Sequence, residues 1–168
     1  MTGIGAAQAD GWKYQYLQGR VRYRNWFGQV FYNKSDAGDT HLLRTNNPIV
    51  DKSTMTVFQL QHSPTFGERQ RFTYGGDILL TRPKTAGTIS GSHENDDDVN
   101  EYGVYLQSET SLSDRVDLIV AGRYDSHNHM ADNNFSPRAA VVVKPDENQS
   151  LRATYNRAFS TPTSNNLF

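Results

Sequence analysis

The chain has 168 residues, with 17 basic and 18 acidic side chains and a net charge of −1. That length fits about one domain, and the balanced charge does not support a basic nucleic-acid-binding surface. Cysteine is absent, which excludes a disulfide scaffold, a Cys-ligated zinc site and a thiol nucleophile.

No apolar run approaches the roughly 18 residues that a membrane helix needs. Residues 1–10 lack the basic and apolar regions of a signal peptide. Strands remain a way to cross a membrane. Mean hydropathy is −0.71, yet aromatic residues make up 11%, led by nine Tyr. A wall of alternating strands has this profile, because the polar half of each strand hides the apolar half in any average.

In chain order, period-two alternation predicts eight strands in four hairpins. The first hairpin pairs residues 12–23 with 26–33 through Arg24-Asn25. The second pairs Thr54–His62 with 69–81 across residues 63–68, which include Pro64 and Gly67. Within 69–81, Phe72, Tyr74, Ile78 and Leu80 oppose Arg69, Arg71, Thr73 and Asp77. The third pairs 101–110 with 115–125 across a turn at 111–114. Its first strand sets Tyr102, Val104 and Leu106 against Glu101, Tyr105, Gln107 and Glu109. Its second sets Val116, Leu118, Val120 and Tyr124 against Arg115, Asp117, Arg123 and Asp125. A helix would spread those charges around its whole circumference. The fourth hairpin pairs 136–144 with 150–156. Residues 1–11 read as a disordered or linker N-terminus, and 12–168 as a β-barrel segment.

The connections between hairpins are long and polar: 34–53, 82–100 and 126–135. Short turns therefore alternate with long loops. A soluble sandwich or lipocalin-like binder does not need that asymmetry, whereas outer-membrane barrels have it. Tyr23, Trp26 and Phe66 lie near the short turns, and Tyr32, Tyr102, Tyr124 and Phe135 near the long-loop ends. Two aromatic girdles are expected in a barrel, though aromatic residues favour strands in any setting. The fold expected is all-β, an antiparallel up-and-down transmembrane β-barrel of about eight strands, part of a larger barrel. The inward face would carry Arg20, Arg22, Gln59, Gln61, Arg71, Asp77, Gln107, Glu109, Asp117, Arg123, Arg138 and Arg152.

Four further stretches occur in order: Tyr102-Gly103-Val104-Tyr105-Leu106-Gln107, AGRYD at 121–125, FSPR at 135–138 and KPDENQSLRATYNRAF at 144–159. Pro162 and a closing Asn166-Leu167-Phe168 follow, and QVFYNKSD at 29–36 and residues 72–80 fit more loosely. Together they resemble the β-barrel of TonB-dependent outer-membrane receptors over residues 12–168, most specifically over 100–168. The resemblance implies uptake of a scarce ligand of the siderophore, haem, cobalamin or oligosaccharide class. It also implies a Gram-negative outer membrane with its lipid, a plug domain and the TonB complex as partners. The family barrel has about 22 strands and a plugged lumen. Eight strands, no plug and no TonB-box segment are recognisable here, so the sequence reads as a central portion of such a barrel. The alternative is a stand-alone eight-stranded barrel with a structural or adhesion role and no transport.

Candidate sites are few. Asp96-Asp97-Asp98, with His93 and Glu94, forms an acidic run in a long loop. Such a run is either a Ca²⁺-binding loop or a solvated one, and it lacks EF-hand spacing. His127 and His129 would share a face if on a strand, and could then hold Zn²⁺, Cu²⁺ or a haem iron. They could equally be exposed loop residues or touch a small-molecule or metal-chelate ligand, so metal use is left open. Glu109 and Asp117 face one interior, with Arg123 or Arg138 as expected ion partners and Arg152 nearby. No Gly-x-Ser-x-Gly elbow or other catalytic constellation is present. The sequence predicts no enzyme and no cofactor.

Overall fold

The computed structural model describes residues 5–89 and 95–159. Its elements are β1 (Ala7–Gln8), β2 (Lys13–Tyr23), β3 (Trp26–Asp36), β4 (His41–Leu42), β5 (Thr54–His62), β6 (Thr65–Phe66), β7 (Gln70–Arg82), β8 (Val99–Ser113), β9 (Val116–His127), β10 (Asn134–Asp146) and β11 (Gln149–Asn156). Eight long strands form one antiparallel sheet in the order β2-β3-β5-β7-β8-β9-β10-β11, with β6 added against β7. Each strand pairs with its neighbours in sequence, so the four hairpins and the up-and-down order are as expected. β2 and β11 lie at opposite ends of that order, and the sheet is open.

The strands run further than alternation alone indicates. β8 continues to Ser113 through an irregularity between Ser111 and Ser113, so the turn tightens to Asp114-Arg115. A ladder extends while each added residue finds a partner, and two residues are the shortest closure. In the first hairpin Arg24, the first central residue of the turn, takes φ 51, a positive φ of the kind that primed two-residue turns place at that position. The segment read as a linker, 1–11, is described from Gly5 onward, and there it is anchored. Ala7 and Gln8 pair with Leu42 and His41, and Asp10 donates its N–H to Thr40 Oγ1 at 3.2 Å. Gly38 (φ 60) packs where a Cβ would strike the backbone of Asp10 and Gly11, so this crossing needs glycine.

Register sorts the side chains into two faces. One row across the sheet reads Tyr23, Trp26, His62, Tyr74, Leu106, Gly122 and Pro137. The rows on this face hold Leu17, Val30, Phe58, Ile78, Val104, Val120, Val141 and Leu151, one or more large apolar residues from each long strand, while Phe31, Val57, Leu79 and Ile119 fall among the polar residues of the other face. The opposite face holds Arg20, Gln29, Gln59, Asp77 and Tyr105 and continues to Arg123, Arg138 and Arg152. Large apolar side chains lie uncovered on the first face; Leu106 is 53% and Val120 50% exposed. A surface like that is not stable in water and fits a hydrocarbon boundary. The few fully buried apolar residues, Ala37, Ile49, Val99 and Ala140, include three that sit at or beyond the strand ends. No conventional two-layer core exists among the described residues.

The aromatic residues bordering the long loops do not follow one ladder row. Tyr32 shares a row with Leu80 and Asn100. Tyr102 lies two residues lower on β8, Tyr124 two residues below Tyr102's partner Ser126, and Phe135 opposite Tyr124. Tyr155 pairs with Ala139, four residues below Phe135. From β3 to β11 the line falls eight residues over six strand-to-strand steps. At about 3.3 Å per residue and 4.8 Å per strand, a line level with a membrane surface needs strands tilted by roughly 40°. Membrane barrels tilt by about 35–45°. A girdle that is oblique to the ladder is therefore what a tilted barrel wall produces.

Candidate functional site

Two structures on this wall are organised for interaction: a charged network on the polar face and a platform built from the three long loops. The network centres on Arg123 of β9. Its Nη1 and Nη2 donate to Asp77 Oδ1 and Oδ2 at 2.7 and 2.8 Å, and its Nε donates to Asp125 Oδ1 at 2.7 Å. The guanidinium lies 5.9 Å from the Tyr105 ring centroid, within cation–π range. Tyr105 in turn donates its hydroxyl to Gln61 Oε1 at 3.0 Å. Four strands are thus tied through two side chains, Arg123 joining β7, β8 and β9 and Tyr105 adding β5. Glycines make the room: a Cβ on Gly103 would collide with the Arg123 guanidinium, and one on Gly75 with the Tyr105 hydroxyl. Asp125 Oδ2 is buried with no hydrogen-bond partner.

The expected neighbours of Glu109 and Asp117 are corrected here. Asp117 pairs with Lys144 Nζ at 2.7 Å and accepts a hydrogen bond from Ser111 Oγ at 2.7 Å. Glu109 accepts from Gln107 Nε2 at 2.6 Å. Neither carboxylate pairs with Arg123 or Arg138, because Arg123 reaches along β9 to Asp125 and across β8 to Asp77 on β7. Arg152 donates its Nε to Thr154 Oγ1 at 3.1 Å. Arg138 is exposed on the same face, directly opposite Ala121 and Asn156.

The loop platform holds three of the four fully buried apolar residues among the described ones, Ala37, Ile49 and Val99. Ile49 donates its N–H to Thr40 O, Lys52 donates to Lys84 O, and Val50 donates to Thr88 Oγ1. The first bond folds the loop after β3 on itself, and the other two stitch it to the loop after β7. Arg82 closes the second loop: its Nη1 donates to Thr81 O and Val99 O, its Nη2 to Asn100 Oδ1, and its Nε pairs with Asp98. Asn128 Nδ2 and His129 Nε2 both donate to Asp98 O at 2.7 Å, which joins the third loop to the second.

The acidic run and the histidine pair, separate in sequence, therefore meet. Asp96 is exposed, Asp97 is buried with Oδ2 unpartnered, and Asp98 anchors the third loop. His127 ends β9 and is buried, and its Nδ1 accepts the His129 N–H at 3.1 Å. His129 lies in the following turn, so the two rings are tilted 60° apart, with centroids 5.9 Å apart, and are not side by side on a strand. Among the described residues no three His, Asp or Glu side chains converge as a metal-ligand set. His93 and Glu94 lie outside the described residues, as do Pro162 and the closing Asn-Leu-Phe. The signal sequence reading missed was Asp77 and Asp125 as the partners of Arg123, together with Gly75 and Gly103 as the space for it.

The chain matches a family model described as TonB dependent receptor-like, beta-barrel, over residues 3–168. No curated protein and no solved structure matches it. The matched stretch covers nearly the whole sequence, including the anchored segment before β2. It agrees with the antiparallel strand order, the two faces and the alternation of short turns with long loops. The family is one of outer-membrane receptors that act as transporters rather than enzymes. The chain belongs to the TonB-dependent receptor β-barrel family.

Proposed function

We propose that this chain is part of the barrel wall of an outer-membrane receptor that binds and imports a scarce ligand in a Gram-negative bacterium. The ligand belongs to the siderophore, haem, cobalamin or oligosaccharide class. The observation that carries the reading is the division of one continuous sheet into an uncovered apolar face and a charged, ion-paired face, in a chain of this family. The apolar face, with its oblique aromatic border, contacts outer-membrane lipid. The polar face lines the lumen and meets the plug domain, which couples to the TonB complex in full receptors. The wall's own contribution is passive. Ion pairs such as Arg123–Asp77, which reaches from β9 across β8 to β7, tie the strands together, and the stitched loops, with Asp96, Asp97, Asp98, His127 and His129, form the surface a small-molecule or metal-chelate ligand reaches first. The structural or adhesion barrel gains no support from the strand order, because β2 and β11 do not close on each other.

The test is the apparent mass of the native protein in isolated outer membranes, read with an antibody to residues 100–168. A band several-fold heavier than 19.0 kDa is expected. A 19-kDa band that shifts on boiling would replace the receptor with a small closed barrel. Cells lacking the gene then identify the ligand class, by losing accumulation of one labelled candidate and retaining the others.

A further inference from the structure

Arg123 and Arg138 share the polar face but differ in what surrounds them. Arg123 is neutralised by Asp77 and Asp125. Arg138 belongs to a row running Gln107, Ala121, Arg138 and Asn156 across β8 to β11. No acidic residue occupies that row, and Glu109, two residues along β8 from Gln107, accepts a hydrogen bond from Gln107. Ala121 is the small residue of the row and leaves a depression of about 480 Å³ around it. Arg138, Gln107, Ser136, Thr154 and Asn156 line this depression, and none of its lining residues is Asp or Glu. Thr154 Oγ1 accepts from Arg152 Nε at 3.1 Å.

A guanidinium with no carboxylate among the residues that line its depression, flanked there by Arg123 and Arg157 as well as neutral donors, is complementary to an oxyanion. Its planar fork matches a carboxylate or phosphate in a bidentate pair. A volume in the range of small-ligand clefts leaves space for a group larger than water. We propose that this depression on β8–β11 is an oxyanion site, in which Arg138 pairs with a carboxylate or phosphate group of the incoming ligand. The site rests on the reading that the polar face lines the lumen.

Arginine-selective modification with phenylglyoxal tests it on the intact receptor purified from outer membranes, with each arginine followed by peptide mass spectrometry. Citrate is the probe, and Arg20, on the same face of β2, is the internal control. A single bidentate pair corresponds to a site of about 1 mM, so about 10 mM citrate slows modification of Arg138 roughly tenfold. Arg20 keeps its rate. If Arg138 and Arg20 react alike with and without citrate, the site does not exist. If Arg138 is already shielded before citrate is added and citrate changes nothing, the receptor's own groups fill the depression, and the proposal is overturned in favour of an internal contact. If Arg20 and Arg138 are both inert, the polar face is not water-lined. The reading beneath the proposal then fails, and the silent control distinguishes that failure from the loss of the site alone.

Discussion

Consecutive residues on β9 give the sharpest prediction of the two-faced wall. Val120 is on the apolar face, paired with Ser108 and Ala139, and is half exposed. It lies four residues from Tyr124 in the aromatic border and four from Val116 at the start of the strand. At about 3.3 Å per residue and a tilt near 40°, four residues correspond to roughly 10 Å along the membrane normal. That depth is close to the middle of an apolar band about 25 Å tall. Val120→Arg therefore costs about 2–4 kcal/mol, the range for an arginine at the midplane. Ile119 faces the other way, opposite Glu109. Ile119→Arg places its charge in the lumen beside a carboxylate and costs about 1 kcal/mol or less. Tyr124→Arg, at the border, falls to about 0–1 kcal/mol. The assay is urea titration of the receptor reconstituted in lipid vesicles, with the folded fraction read from its gel mobility without boiling. The difference of about 2 kcal/mol between neighbours is some thirtyfold in the folding equilibrium. Equal costs at 119 and 120, or no decline from 120 to 124, would refute the assignment of faces.

Other expectations follow from single contacts. Gly103→Ala pushes a Cβ into the Arg123 guanidinium and Asp125, so it should destabilise the barrel by about 1–3 kcal/mol, with chemical denaturation as the readout. Asp77→Asn leaves Arg123 with Asp125 alone. Both partners are partly exposed, so the loss should stay near 1–2 kcal/mol and shrink at high salt. Arg82→Ala removes four contacts that close the loop after β7. Protease cleavage within residues 83–98 should then accelerate while the gel mobility of the folded barrel is unchanged.

Much of the wall was legible because the strand period is two and each strand shows it independently. Val116, Leu118, Val120 and Tyr124 against Asp117, Arg123 and Asp125 leave no other face assignment, and a two-residue turn fixes the partner strand. The partner of Arg123 was not legible in the same way. Asp77 is 46 residues away, and meeting it depends on the registers of two consecutive strand pairs and on glycine at 103. The loop platform left no periodic trace, since Ala37, Thr40, Ile49 and Thr85 are buried by irregular backbone held with local hydrogen bonds. The two-residue strands β1 and β4 are too short for any pattern. His127 and His129 show the limit of spacing arguments. Two residues apart means one face only while the strand lasts, and β9 ends at His127. The aromatic border was visible as composition near the loop ends. Its slope, and hence the tilt, required the register of every strand pair.

In the proposed wall one face of this sheet meets lipid and the other meets water. The chain has no cysteine, so single cysteines at positions 116–125 can carry nitroxide labels in the receptor embedded in vesicles. Collision rates with oxygen, which partitions into lipid, and with a water-soluble nickel complex then report each side chain's surroundings. The account predicts strict alternation, with oxygen contact highest at 118, 120 and 122 and nickel contact highest at 117, 119, 121 and 123. A flat profile, or the opposite phase, would contradict it.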